Sequence, residues 1–280
     1  MIKVKDLDVR FGRKKVLNDI NVEFRKSEFV VIAGNNGVGK STFLRTLIGI
    51  VTPVKGQVVY DKGISKKKIG FISDKLSFFD DFTLEQGIDF HCRVYSIKQF
   101  DDNLLRHLDL DRKQRIKTLS VGERVLFLFS LIMAQEPEVI MVDEIIHAID
   151  PYLRGLFLEY LLEVIDRFSA TVITVNHSFS EIETIPSRVL IMENGRFILD
   201  EATEALKEKI KMVESNVDIP GDIPVLYKKE VLHYKEYYVY PFSEELRKSY
   251  DYQFQDLNLT EIIKSFIGGY YAKKRDSRGV

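Results

Sequence analysis

The stretch that most constrains this chain is "FVVIAGNNGVGKSTFLRTLIGI", residues 29–50. Phe29 to Ala33 form a short, continuous apolar run, the mark of a strand covered on both faces in a parallel sheet. "STFLRTLIGI" then carries helical spacing. Between them, "GNNGVGKST" satisfies G-x-x-x-x-G-K-[ST] with Gly34, Gly39, Lys40 and Ser41. Glycines let the backbone wrap until its N–H groups converge on phosphate oxygens. The helix N-terminus adds partial positive charge, Lys40 reaches the β- and γ-phosphates, and the Ser41 hydroxyl ligates Mg²⁺. The strand, loop and helix in this order predict a nucleoside triphosphate site. Its candidate residues are Gly34, Asn35, Asn36, Gly37, Val38, Gly39, Lys40, Ser41 and Thr42.

A strand buried on both faces needs neighbours. Further apolar strands are predicted at "EVIMVD" (138–143), "ATVITV" (170–175) and "RVLIM" (188–192), separated by helical stretches such as "PYLRGLFLEYLLEVIDRF". Strands alternating with helices mean an α/β fold with a mainly parallel core sheet. "IKVKDLDVRF" and "VLNDINVEF" add two half-buried strands in a small antiparallel β subdomain. From about 75 to 135 the pattern is mostly helical, an inserted helical subdomain. Within it, Thr83 with Gln86 and Ser120 with Glu123 each place a capping residue three positions before Gln or Glu, so each opens a helix.

After about Glu204 the composition changes. A charged helix gives way to a Pro- and Tyr-rich alternating segment, then an apolar helix "LTEIIKSFIGGYY" and a polar tail. Nine of the 13 tyrosines lie beyond residue 220. Residues 1–204 are therefore read as one domain and 205–280 as a small α+β C-terminal extension.

Acids (42) and bases (41) nearly cancel, so no charge-driven nucleic-acid surface is expected. The single Cys92 excludes an intramolecular disulfide and fits a reducing compartment. The N-terminus lacks the apolar core of a signal peptide, and the most apolar run, Val125 to Ala134, is too short to span a bilayer. A cytoplasmic protein is expected. His91, Cys92, His107 and His233 show no metal-ligand spacing.

"VIMVDE" ends an apolar strand on Asp143 and Glu144. Opposite a phosphate-binding loop, a strand-end Asp holds Mg²⁺. A second carboxylate beside it takes a proton from attacking water. His177 sits at the end of "ATVITVNH", 33 residues beyond Glu144.

Taken in order, these segments resemble the ATP-binding cassette (ABC) ATPases over roughly residues 1–205. Residues 34–42 match the Walker A motif, and 139–144 match Walker B with its catalytic glutamate. "HAID" (147–150) falls at the D-loop, which brings Asp150 into the nucleotide site. His177 falls at the switch histidine, and Phe11 at the aromatic position that stacks on adenine. "LSVGE" (119–123) falls at the signature LSGGQ, with Ser120 23 positions before Asp143. The resemblance implies ATP and Mg²⁺ as cofactors, with two cassettes paired head to tail as a homodimer or heterodimer. Ser120 and the backbone N–H of Gly122 would contact the γ-phosphate held by the other cassette.

Asp74 falls where the family usually has a glutamine that senses the γ-phosphate and Mg²⁺. An acid there resembles the exporter-type subgroup. Val121, Glu123, Ile145, Ile146 and His147 also depart from the family pattern, whereas Lys40, Ser41, Asp143, Glu144 and His177 are all present. The resemblance implies an ATPase subunit, peripheral on the inner face of the membrane, driving a separate integral membrane permease. Phe78, Phe79 and Phe82 either dock that permease or fill the helical subdomain's own core. The competing class is a soluble ABC ATPase of a non-transport assembly, such as cofactor assembly.

Overall fold

The computed structural model describes residues 2–61, 64–73, 79–176, 179 and 182–276. The chain divides into two compact units, Met1–Val30 with Ser41–Asn176, and Val31–Lys40 with His177–Val280.

In the first unit, β1 (Ile2–Phe11) pairs antiparallel with β2 (Lys14–Phe24). Their alternation buries Ile2, Val4, Leu7 and Val9 against Leu17, Ile20, Val22 and Phe24. β3 (Phe29–Ala33) is buried throughout and leaves the first unit after Val30; the glycine-rich loop belongs to the second unit, and α1 (Lys40–Leu47) returns to the first at Ser41. A third strand, β4 (Lys55–Tyr60), pairs with the free edge of β1. "KGQVVY" escaped the sequence reading because it buries no side chain fully and so lacks a strong alternation.

β5 (Ile69–Ser73) is followed by three helices, α2 (Leu84–Tyr95), α3 (Asn103–His107) and α4 (Val121–Met133). β6 (Val139–Asp143), α5 (Pro151–Phe168) and β7 (Thr171–Val175) then complete the unit. β5, β6 and β7 lie side by side and parallel, in a register that sets Ser73, Asp143 and Val175 level. Every residue of β6 and β7 is buried, as an apolar run in a two-sided parallel sheet requires. The three helices enclose their own core of Leu84, Ile88, Leu105, Ile116, Phe127 and Leu131.

The helical reading of the residues after Asp74 needs one correction. Positions 79–83 form a turn, closed by Phe82 N–H donating to the Phe79 carbonyl, and the helix begins at Leu84. Thr83 caps that helix in extended backbone, which ends helical geometry on its N-terminal side.

In the second unit, β8 (Arg188–Glu193) and β9 (Arg196–Ala202) make a hairpin, followed by α6 (Thr203–Lys209). β10 (Lys211–Ser215), β11 (Val225–Val231) and β12 (Tyr234–Val239) form an antiparallel sheet in the order β10-β12-β11. Val213, Ile223 and Val239 are its core. α7 (Glu244–Ser249) and α8 (Leu259–Asp276) close the chain. α8 buries Leu259, Ile262, Ile263 and Phe266 and runs on through Asp276, so the first residues of the expected polar tail are helical. "AKKR" consists of strong helix formers that extend a helix already anchored by packing. No described helix is long and apolar enough to cross a membrane.

Candidate nucleotide-binding site

The loop after β3 is shaped by glycine. Gly34 has φ 145°, and a Cβ there would sit 2.2 Å from the Met192 carbonyl oxygen, so no other residue fits. Gly37 and Gly39 also have positive φ. Asn35, Asn36 and Gly37 are exposed at the tip, Val38 is half-buried, and Gly39 and Lys40 are buried. The Lys40 ammonium donates to the Gly34 and Asn35 carbonyls, both at 2.9 Å. A lysine only 3% exposed is thus held over the loop's own concavity, where phosphate charge would be met.

Ser41 and Asp143 lie 102 positions apart in sequence, yet Ser41 Oγ donates to Asp143 Oδ1 at 2.8 Å. Asp143 is 1% exposed, and an Arg45 guanidinium nitrogen stands 3.8 Å from its Oδ2. One hydroxyl oxygen and one carboxylate in contact are hard donors of the kind Mg²⁺ takes, alongside water and phosphate oxygens. The donor set therefore fits Mg²⁺, which Ser41 and Asp143 would hold. Glu144, next in the chain, has φ 54°, a left-handed conformation uncommon in a residue with a side chain. Its N–H donates to the Val175 carbonyl at 3.1 Å, and the carboxylate is half-buried. Such backbone strain is held in place by its surroundings and gathers at functional positions.

Asp74 and His177 lie outside the described residues. The strands that precede them in the chain, β5 and β7, end level with Asp143. Phe11 ends β1 with its side chain 54% exposed, open to a flat partner. Thr42 is half-buried in the first turn of α1, where its carbonyl accepts from Thr46 Oγ1.

At the start of α4, Ser120 Oγ accepts from Glu123 N–H at 3.3 Å while Glu123 Oε2 accepts from Ser120 N–H at 2.7 Å. Gly122 is buried there, and a Cβ would lie 2.6 Å from Leu153 Cδ1 and 3.1 Å from Asp150 Oδ2. The packing of α5 against α4 is a reason for this glycine that operates within one chain. Asp150 is itself the N-cap of α5, accepting from Leu153 N–H at 3.1 Å, with Pro151 opening the helix.

The two readings of the phenylalanines divide by residue. Phe82 packs on the helical core, whereas Phe79 and Phe90 are exposed and meet edge to face with centroids 5.1 Å apart. Phe78 lies outside the described residues, and Phe90 was not foreseen. Among the described residues no cluster of His, Cys, Asp and Glu is arranged to hold a metal. His91 is a buried packing residue: burial pushes its pKa down to about 4, and Gln135 Nε2 lies 2.9 Å from its Nε2. Burial likewise raises the Cys92 thiol.

Sequence reasoning also passed over Glu193, which ends β8. It is 1% exposed, and its Oε1 accepts from Asn35 N–H in a long bond of 3.4 Å. The available signal was "RVLIME", an acid closing an apolar strand as Asp143 closes "VIMVD".

Residues 17–147 match the family model described as "ABC transporter". A probable sulfate/thiosulfate import ATP-binding protein CysA of Chlorella vulgaris is 27% identical, covering 70% of this chain and 89% of that protein. The energy-coupling factor transporter ATP-binding protein EcfA2 of Clostridium tetani is 28% identical, covering 72% and 77%. Among solved structures, one described as the ATP binding subunit of an ABC transporter superposes with TM-score 0.68 at 22% identity, over 74% of this chain and 92% of that one. That likeness shows a shared fold.

Proposed function

We propose that the chain is the ATP-binding cassette of an ABC transporter, the family that residues 17–147 match, and that it hydrolyses ATP as one of two head-to-tail cassettes driving a separate membrane permease. The carrying observation is the 2.8 Å bond between Ser41 and the buried Asp143, next to a Glu144 held in left-handed backbone. Backbone N–H groups of the loop and Lys40 bind the triphosphate. Ser41 and Asp143 hold Mg²⁺, which when bound neutralises phosphate charge. Glu144 takes the proton of the attacking water. Asp74 and His177 complete the γ-phosphate side, and Phe11 stacks on adenine.

From the second cassette, a homodimer or heterodimer partner, Ser120 and the Gly122 N–H reach the γ-phosphate, with Asp150 at the same interface. The cassette comprises residues 1–204 with the helical insertion at about 75–135, and 205–280 is an accessory extension. Exposed Phe79 and Phe90 supply apolar surface for the permease, which holds the chain on the cytoplasmic face of the membrane. The direction is proposed as export on Asp74 alone. The relatives named above are import and energy-coupling proteins, so they support transport without that direction.

Glu144→Gln tests the reading. Steady-state ATPase should fall about 10²–10⁴-fold while ATP still binds, with a dimer trapped on size exclusion in ATP. Turnover at the wild-type rate would remove the general-base role. Used as bait on membrane extracts, the trapped dimer should recover an integral membrane protein. A soluble assembly in its place would overturn the transport half.

A further inference from the structure

The turn of the β8–β9 hairpin touches the phosphate-binding loop at three successive points. The Met192 carbonyl abuts Gly34, Glu193 Oε1 accepts from Asn35 N–H at 3.4 Å, and Gly195 N–H donates to the Val38 carbonyl at 3.1 Å. The other side of the same turn is held by the C-terminal helix. Tyr271 OH donates to Glu193 Oε2 at 3.1 Å, and Asn194 Nδ2 donates to Tyr270 OH at 2.6 Å. Glu193 therefore has one carboxylate oxygen on the loop and the other on α8.

A carboxylate at 1% exposure is costly unless both oxygens are hydrogen-bonded, so its position is fixed by these two partners together. Removing either one frees it to turn. The anion site is made of backbone N–H groups, whose directions depend on where the loop's first residues are pinned. Asn35 follows Gly34, the residue with no Cβ to restrict it, so the pin at its N–H governs how the loop enters its turn.

We propose that Glu193 and Tyr271 are positioning residues for nucleotide binding: the C-terminal helix splints the phosphate-binding loop through the Glu193 carboxylate. The inference rests on the loop binding a nucleoside triphosphate, as argued above. It gives the C-terminal extension a task within the nucleotide site. α8 is anchored by Leu259, Ile262, Ile263 and Phe266, all buried, so the splint has a rigid base. Tyr271, 40% exposed near the end of α8, is its outermost part.

The test is MgATP titration by calorimetry and steady-state ATPase on the full chain and three variants. Glu193→Ala should raise Kd and KM about tenfold and Tyr271→Phe about twofold to fivefold, with kcat at saturating ATP unchanged within twofold. Glu193→Gln keeps an acceptor for Asn35 N–H and a polar partner for Tyr271, and should stay within about twofold of wild type. Should Glu193→Ala misfold, half-exposed Tyr271→Phe carries the test alone. Wild-type affinity in Tyr271→Phe, a fall in kcat with KM unchanged, or Glu193→Gln as weak as a well-folded Glu193→Ala would overturn the splint. Absence of MgATP binding by the wild-type chain would instead overturn the nucleotide reading beneath it.

Discussion

The helices α2 and α4 start from the same device, yet only one start is closed. Each has a full capping box, Thr83 with Gln86 and Ser120 with Glu123. At α2 the remaining first-turn donors are taken: Leu84 N–H by the Gln114 carbonyl and Glu85 N–H by the Arg112 carbonyl. At α4 the N–H groups of Val121 and Gly122 have no acceptor among the described residues. The two caps match in pattern and differ in what the chain lays over them. A helix start attracts anions only where N–H groups remain uncommitted, so the open start of α4 suits a γ-phosphate and the covered start of α2 does not.

The largest effect expected from this contrast is at Ser120. Ser120→Arg fills the open helix start, so single-subunit ATP binding should persist while dimer formation fails and turnover drops about 100-fold or more. An ATPase rate near wild type would show that α4 is as closed in function as α2. Next are the paired cap deletions. Thr83→Ala and Ser120→Ala should each cost about 1 kcal/mol in urea unfolding, since both lose the same kind of cap. Only Ser120→Ala should also lower ATPase; equal activities would break the comparison.

The smallest effect at neutral pH is at His91, which joins α2 to the end of α4 through Gln135. Its pKa falls from 6.5 in the unfolded chain to about 4 in the fold because burial disfavours the charged ring, against an opposing pull from the Leu131 carbonyl. The unfolded chain thus binds the proton first as pH falls. The contribution is whole above about 6.5 and is lost as pH drops through 4. His91→Leu should flatten that acid decline in thermal melts. An unchanged slope would place the acid sensitivity elsewhere.

Features whose cause is local were legible in the sequence. Residues 151–168 read as one helix from their own run of residues, and the structure has that helix, with Asp150 just before it as the N-cap. The two capping boxes are read the same way. β4 and β10 were missed because short strands are made by pairing: Lys55–Tyr60 exists through β1 and Lys211–Ser215 through β12. Phe82 and Phe79, three apart in one turn, cannot be assigned to core and surface without knowing where α2 lies.

The sequence by itself determined the glycine-rich loop between strand and helix, the acid pair closing β6 and the helix caps. Each is a short-range pattern with its chemistry in adjacent residues. Only the tertiary structure decided that Ser41 meets Asp143 across 102 positions, that a neighbouring segment closes α2 and leaves α4 open, and that Glu193 stands between the loop and α8. Those facts depend on strand order and helix packing. They arise from burial summed over the whole chain, which no local run of residues encodes.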